Sequence, residues 1–177
     1  ELNRETPTLA RQASMTISPT PRARPRPDTQ VTSGMMLTAA APVFTPAGRH
    51  LGVLYGGVLL NRNYEVVDKI RRTVFKEESY EGLPIGTATI FQGDVRISTN
   101  VRNADGTRAI GTLASAEVTD LVLDRGATWT GRAFVVNDWY LSAYSPITNL
   151  NGQNIGMLYV GVLERPYMDA LWRTLFL

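Results

Sequence analysis

The spacing of apolar residues changes period several times along the chain, and each change marks an element. Over residues 63–75, Val66, Val67, Ile70 and Val74 share one helical face. Asn63 can cap the start, and Glu65/Lys69 and Asp68/Arg72 form i,i+4 pairs opposite. This predicts a helix. Residues 81–86 predict a loop. Residues 87–91 and 95–100 switch to period two and predict a hairpin, in which a Gln92-Gly93 turn pairs Ile90 with Val95 and Thr89 with Arg96. Asn103-Ala104-Asp105-Gly106 predicts a turn, and Ser115 opens a second helix with Val118, Leu121 and Val122 on its apolar face and Gly126 at its end. Residues 132–136 and 140–146, joined by an Asn137-Asp138 turn, and residues 156–163 predict three more strands. Helix, two strands, helix, three strands is the order of an α+β domain built on a five-stranded antiparallel sheet.

The chain also repeats itself. Residues 37–59 return as residues 141–163 without a gap, at an offset of 104. Pro42/Pro146, Gly48/Gly152, Gly52/Gly156, Tyr55/Tyr159 and Gly57/Gly161 coincide, together with several apolar positions. Each copy predicts a strand, a polar turn at Gly48 or Gly152 and a second strand, with the proline near a strand end because it has no N–H for a ladder. Upstream of Leu37 there is room for one strand near residues 14–17 but no candidate for a helix and hairpin. The layout expected is an extended arm at 1–35, the trailing hairpin of a partial first unit at 36–60, a complete unit at 61–167, and the start of a helix at 168–177. In that last stretch Met168, Leu171, Trp172, Leu175 and Phe176 keep helical spacing, either lying on the domain or leading toward a membrane.

Charge and composition narrow the chemistry. The 177 residues carry 18 Lys+Arg and 16 Asp+Glu, and the net +2 lies in the first 33 residues, where Arg4, Arg11, Arg22, Arg24 and Arg26 face Glu1, Glu5 and Asp28. Arg22-Ala23-Arg24-Pro25-Arg26-Pro27 predicts a solvated arm, and with no basic stripe elsewhere no nucleic-acid partner is expected. The absence of Cys excludes disulfides and thiolate chemistry. The single His50 sits in a polar turn, and no nucleophile elbow, phosphate loop or metal-ligand spacing is present, so no catalytic residue, metal or cofactor is expected. No stretch reaches the roughly 20 apolar residues of a membrane span.

Binding is better supplied. Alternation places Thr87, Thr89, Phe91, Arg96 and Ser98 on one face of the hairpin, and Arg132 with Phe134, then Tyr140, Ser142 and Tyr144, alternate in the later strands. Converging faces would gather guanidiniums, hydroxyls and rings around one concavity suited to a small organic anion. Arg96 and Arg132 could equally pair across strands at the surface, and Arg108, flanked by turn residues, could be exposed. The candidate ligand-binding set is Phe91, Arg96, Ser98, Arg108, Arg132, Phe134, Tyr140 and Tyr144.

Residues 86–100, 106–112, 131–140 and 152–163, taken in order, resemble the Cache sensor domains, PAS-like modules of bacterial sensor histidine kinases and chemoreceptors, and among them the fused double type. The resemblance implies a non-catalytic periplasmic or extracellular sensor held between membrane helices, binding a carboxylate or amino acid and signalling through the helix after Pro166. A homodimer is one arrangement it allows. The competing expectation is a non-sensing module for dimerisation or interaction.

Overall fold

The computed structural model describes residues 7–76 and 78–175. The chain opens with helix α1 (Pro7–Ala13), the short antiparallel pair β1 (Met15–Thr16) and β2 (Gln30–Val31), and a long hairpin of β3 (Met36–Phe44) and β4 (His50–Leu59). Helix α2 (Glu65–Phe75) follows, then a small hairpin of β5 (Ser79–Tyr80) and β6 (Leu83–Pro84). After β7 (Gly86–Gln92) and β8 (Val95–Thr99) comes α3 (Ala116–Thr119), which widens into a π-helical turn over Asp120–Asp124. Strands β9 (Trp129–Val135), β10 (Asp138–Thr148) and β11 (Asn154–Leu163) lead into α4 (Arg165–Leu175).

The five long strands of the second half form one antiparallel sheet in the order β8-β7-β11-β10-β9, the α+β architecture expected. Its two faces bury separate clusters. One face carries Phe91, Tyr140, Tyr144, Met157, Tyr159 and Leu163 against Val101, Ala114, Val118 and Val122 of the connection between β8 and β9. The other carries Ala88, Ile90, Val95 and Ile97 against Val67 and Ile70 of α2 and against Met15, Ile17 and Val31. Each fully buried Val, Leu, Ile, Phe or Met among them contributes about 1.5–3 kcal/mol.

The N-terminal segment is therefore not a free arm. Arg26 pairs with Asp94 at 2.7 Å, Arg24 with Asp120 and Asp124, and Gly111 passes so near Thr16 that a Cβ there would lie 2.2 Å from its carbonyl oxygen. Composition marked the segment as polar, but its alternate apolar residues are core. Arg4, Glu1 and Glu5 lie outside the described residues.

Several local expectations shift by a residue or two. The β7–β8 turn sits at Gly93-Asp94, not Gln92-Gly93, with Gln92 opposite Val95 and Phe91 opposite Arg96. Gly93 takes φ 56°, the conformation that a first central turn position requires and glycine supplies at little cost. A bulge follows, so Ile90 faces Ser98 with Ile97 between, and every later side chain of β8 changes face. The expected loop at 81–86 contains the hairpin turn Glu81-Gly82, both residues at positive φ. The turn before β10 is Val136-Asn137, with Asp138 paired to Val135. Strand β10 runs past Pro146 because β9 pairs it only as far as Tyr144, so no partner needs the proline's missing N–H.

In α2, Asn63 Oδ1 accepts from the Glu65 N–H and helps to start the helix, but only Val67 is buried. Asp68 binds Arg108 rather than Arg72. The Ser115 hydroxyl caps α3, as expected, accepting from the Val118 N–H. The C-terminal helix forms over Arg165–Leu175 with Tyr167, Leu171, Trp172 and Leu175 exposed; Phe176 lies outside the described residues. No described helix is long and apolar enough to cross a membrane.

Candidate functional site

A cavity of about 550 Å³ opens between the aromatic face of the sheet and the segment from Leu113 to Val118. Tyr144 and Trp129, opposite one another on β10 and β9, stack edge to face at 5.7 Å and line it. Val118 of α3 and the stretch Thr20-Pro21-Arg22 of the N-terminal segment complete the wall. The segment is fastened there by hydrogen bonds from the Leu113 N–H to the Thr20 hydroxyl at 2.9 Å and from the Ala116 N–H to the Arg22 carbonyl at 2.8 Å. Arg22 itself takes φ 65°.

The polar anchor of the cavity is Arg96. The residue is 3% exposed, its guanidinium lies 4.9 Å from the centre of the Phe91 ring, and Nη1 donates to the Thr112 hydroxyl. Nε is buried with no hydrogen-bond partner, and among the described residues no carboxylate pairs with this guanidinium. Desolvation pulls its pKa below the ordinary arginine value, yet an arginine keeps its charge at any physiological pH. Burial likewise pushes the phenols of Tyr144, Tyr159 and Tyr140 up, so all three are neutral hydrogen-bonding groups. An unpaired buried cation costs several kcal/mol, and such a cost is recovered when an anion arrives.

The eight residues singled out in the sequence separate into four groups. Arg96, Arg132, Phe134 and Tyr144 line the cavity, and Phe91 packs fully buried behind Arg96 and against Tyr144. Tyr140 opens instead into a neighbouring cleft of about 490 Å³, shared with Thr87 and Asn100. Ser98 is turned by the bulge to the opposite face, where its hydroxyl donates to the Asn63 carbonyl. Arg108 lies away from the cavity, held by two 2.8 Å hydrogen bonds to the Asp68 carboxylate and stacked on Tyr64.

Arg132 and Phe134 do not share a face with Tyr140 and Tyr144, as the register pairs them with Leu141 and Trp139. They reach the cavity because β9 is an edge strand that its mouth wraps. Arg132 stacks on Trp139 at 3.9 Å and donates from Nε to both oxygens of Glu164, immediately before α4. Arg165, the first residue of α4, pairs with Asp138 at 2.6 Å.

Trp129, Glu117 and Thr20 to Arg22 were not foreseen. Extending the β9 alternation by two residues from Gly131 reaches Trp129. Glu117 accepts from the Trp129 indole at 3.2 Å and lines the same cavity, whereas the N-terminal stretch left no local pattern pointing to it.

No curated protein matches the sequence. The family model for single Cache domain 3 matches residues 58–174, covering α2, the whole five-stranded sheet and all but the last residue of α4. That match takes in more than half of the chain, and the five-stranded antiparallel sheet agrees with it: the chain belongs to the single Cache domain 3 family.

Proposed function

We propose that this domain is the ligand-sensing part of a bacterial transmembrane receptor, a sensor histidine kinase or chemoreceptor, held outside the cytoplasm. Cache domains are non-catalytic sensor modules of signalling receptors. The ligand is a small carboxylate or amino acid. The observation that carries this reading is Arg96: buried, without a carboxylate partner, its Nε unbonded, beside a cavity of ligand size. The carboxylate of the ligand takes the open donors of Arg96, and Trp129 and Tyr144 exclude water around it. Glu117 sits where it can receive an ammonium group, which makes an amino acid acceptable as well.

The state of the cavity reaches the exit helix through Arg132. This residue borders the cavity and holds Glu164, so a ligand that draws on Arg132 loosens a tie at the start of α4. Signalling requires that ligand bind one arrangement better, by a coupling of typically 1–3 kcal/mol.

Calorimetry with acetate, succinate, L-alanine and L-aspartate, on the parent and on Arg96→Met, tests the assignment. A charge-assisted hydrogen bond contributes roughly 1.5–3 kcal/mol, so affinity is expected to fall about 10- to 150-fold. The empty variant should melt no lower than the parent, because an unpaired buried charge has been replaced by an apolar chain. Glu117→Gln should weaken the amino acids alone. Equal binding by parent and Arg96→Met removes Arg96 from the site.

A further inference from the structure

The charged residues that line the cavity are not alike. Arg22, Glu117 and Arg132 are exposed, so water reaches and screens them, and Arg132 is already committed to Glu164. Arg96 alone is buried. Its Nη1 is spent on the Thr112 hydroxyl, which leaves the side of the guanidinium that carries Nε and Nη2, a fork that matches one carboxylate. Among the described residues the interior therefore has a place for one negative charge and no second cation for another.

The rest of the interior is apolar. Leu113, Ala114 and Val118 are buried on one side, and the ring of Tyr144 and Val135 on the side of the sheet. Trp129 completes that side with an indole whose N–H already bonds Glu117, so it offers a ligand only carbon surface. Its ring is also fixed in place. It lies along β9 beside Gly131, where a Cβ would come within 3.1 Å of it, and stands edge to face on Tyr144. A short acid such as acetate covers little of this wall and leaves the rest to water. The cavity of about 550 Å³ falls in the roughly 300–1,000 Å³ range that encloses drug-sized molecules. An apolar body attached to the carboxylate fills it and releases that water.

We infer that the ligand is a monocarboxylate with an apolar body, an alkyl chain or an aryl ring, and that Trp129 is the residue that selects it. The inference rests on the assignment of the carboxylate to Arg96 and adds what the rest of the molecule must be. Calorimetry on the full chain with acetate, butanoate, hexanoate and 3-phenylpropanoate tests it. Each added methylene should tighten binding about fourfold, the equivalent of about 0.8 kcal/mol per buried CH₂, so hexanoate should bind roughly 100- to 300-fold tighter than acetate. The phenyl acid should bind at least as well as hexanoate. Adipate, which is hexanoate with a second carboxylate, should bind about tenfold weaker than hexanoate or worse, because the added charge finds no buried partner. Trp129→Ala should reduce the ratio of hexanoate to acetate affinity about tenfold, and a ratio taken within one protein does not depend on how much of it is folded. Acetate or adipate bound as tightly as hexanoate overturns the inference and leaves the carboxylate at Arg96 in place. Hexanamide bound as tightly as hexanoate overturns the assignment to Arg96, and the monocarboxylate with it. A ratio unchanged by Trp129→Ala takes the selection away from Trp129, and absence of binding by every acid overturns both readings.

Discussion

The hairpins β3–β4 and β10–β11 share one sequence pattern and occupy opposite surroundings. Tyr159 is fully buried, stacked at 4.8 Å on Tyr144 and bonded through its hydroxyl to Thr87, while Tyr55 is 78% exposed. The pattern makes a strand pair in both places, in matching register down to an irregularity before the turn, at Val43/Phe44 and at Ile147/Thr148. What it does not carry is burial, which β7, β9 and the connection from β8 to β9 bring to one hairpin only. Pairing is a local property of these residues, and the core is a property of what surrounds them.

The sharpest way to break that comparison is to truncate the two tyrosines. Tyr159→Ala should cost about 3–5 kcal/mol in chemical denaturation, as for a large aromatic removed from a packed core, and should leave little folded protein. Tyr55→Ala should stay within about 0.5 kcal/mol. Comparable losses at both positions would show that the β3–β4 hairpin is folded onto its own domain.

A smaller difference is expected at the glycine pair. Gly156→Ala must displace the backbone of β7 at Phe91 and should cost about 1–3 kcal/mol, the range for overpacking. Gly52→Ala meets open space and should be near neutral, within about 0.5 kcal/mol. Equilibrium unfolding of the two variants reads both effects.

Much of the fold was legible because the periodicities that mark a helix at 65–75 and strands from 86 to 163 are local. The site was less so, for three physical reasons. A bulge beside Ile90 adds one residue to β8 and turned Ser98 to the other face, and no residue type in 95–99 announces it. Arg108 has the same side chain as Arg96, but the topology puts Asp68 beside the first and, among the described residues, no acid beside the second, a distinction that lies in long-range contacts. The wall from Thr20 to Arg22 is built by residues about ninety positions from their partners, in a stretch whose composition resembles a linker.

That wall gives the last and smallest test. One side of the cavity is held by the buried Arg96 guanidinium, the other by ion pairs of Arg24 with Asp120 and Asp124 that are roughly half exposed. Hydrogen bonding to Arg24 holds the Asp124 carboxyl below the usual carboxylate range. A carboxylate depressed in the folded state contributes its stabilisation above the unfolded pKa and loses it as pH falls through the folded one. The segment should therefore stay latched at neutral pH and loosen on acidification below about pH 4, while the bonds of Thr20 to Leu113 and Arg22 to Ala116 persist. Amide exchange of residues 18–27, corrected for its intrinsic pH dependence and compared with β7 between about pH 6 and pH 3, should show protection lost in the segment alone. Asp124→Asn should already exchange faster at neutral pH and respond less to acid. Protection that is independent of both pH and this substitution would mean that backbone bonds alone close the cavity, leaving Arg24 no part in the latch.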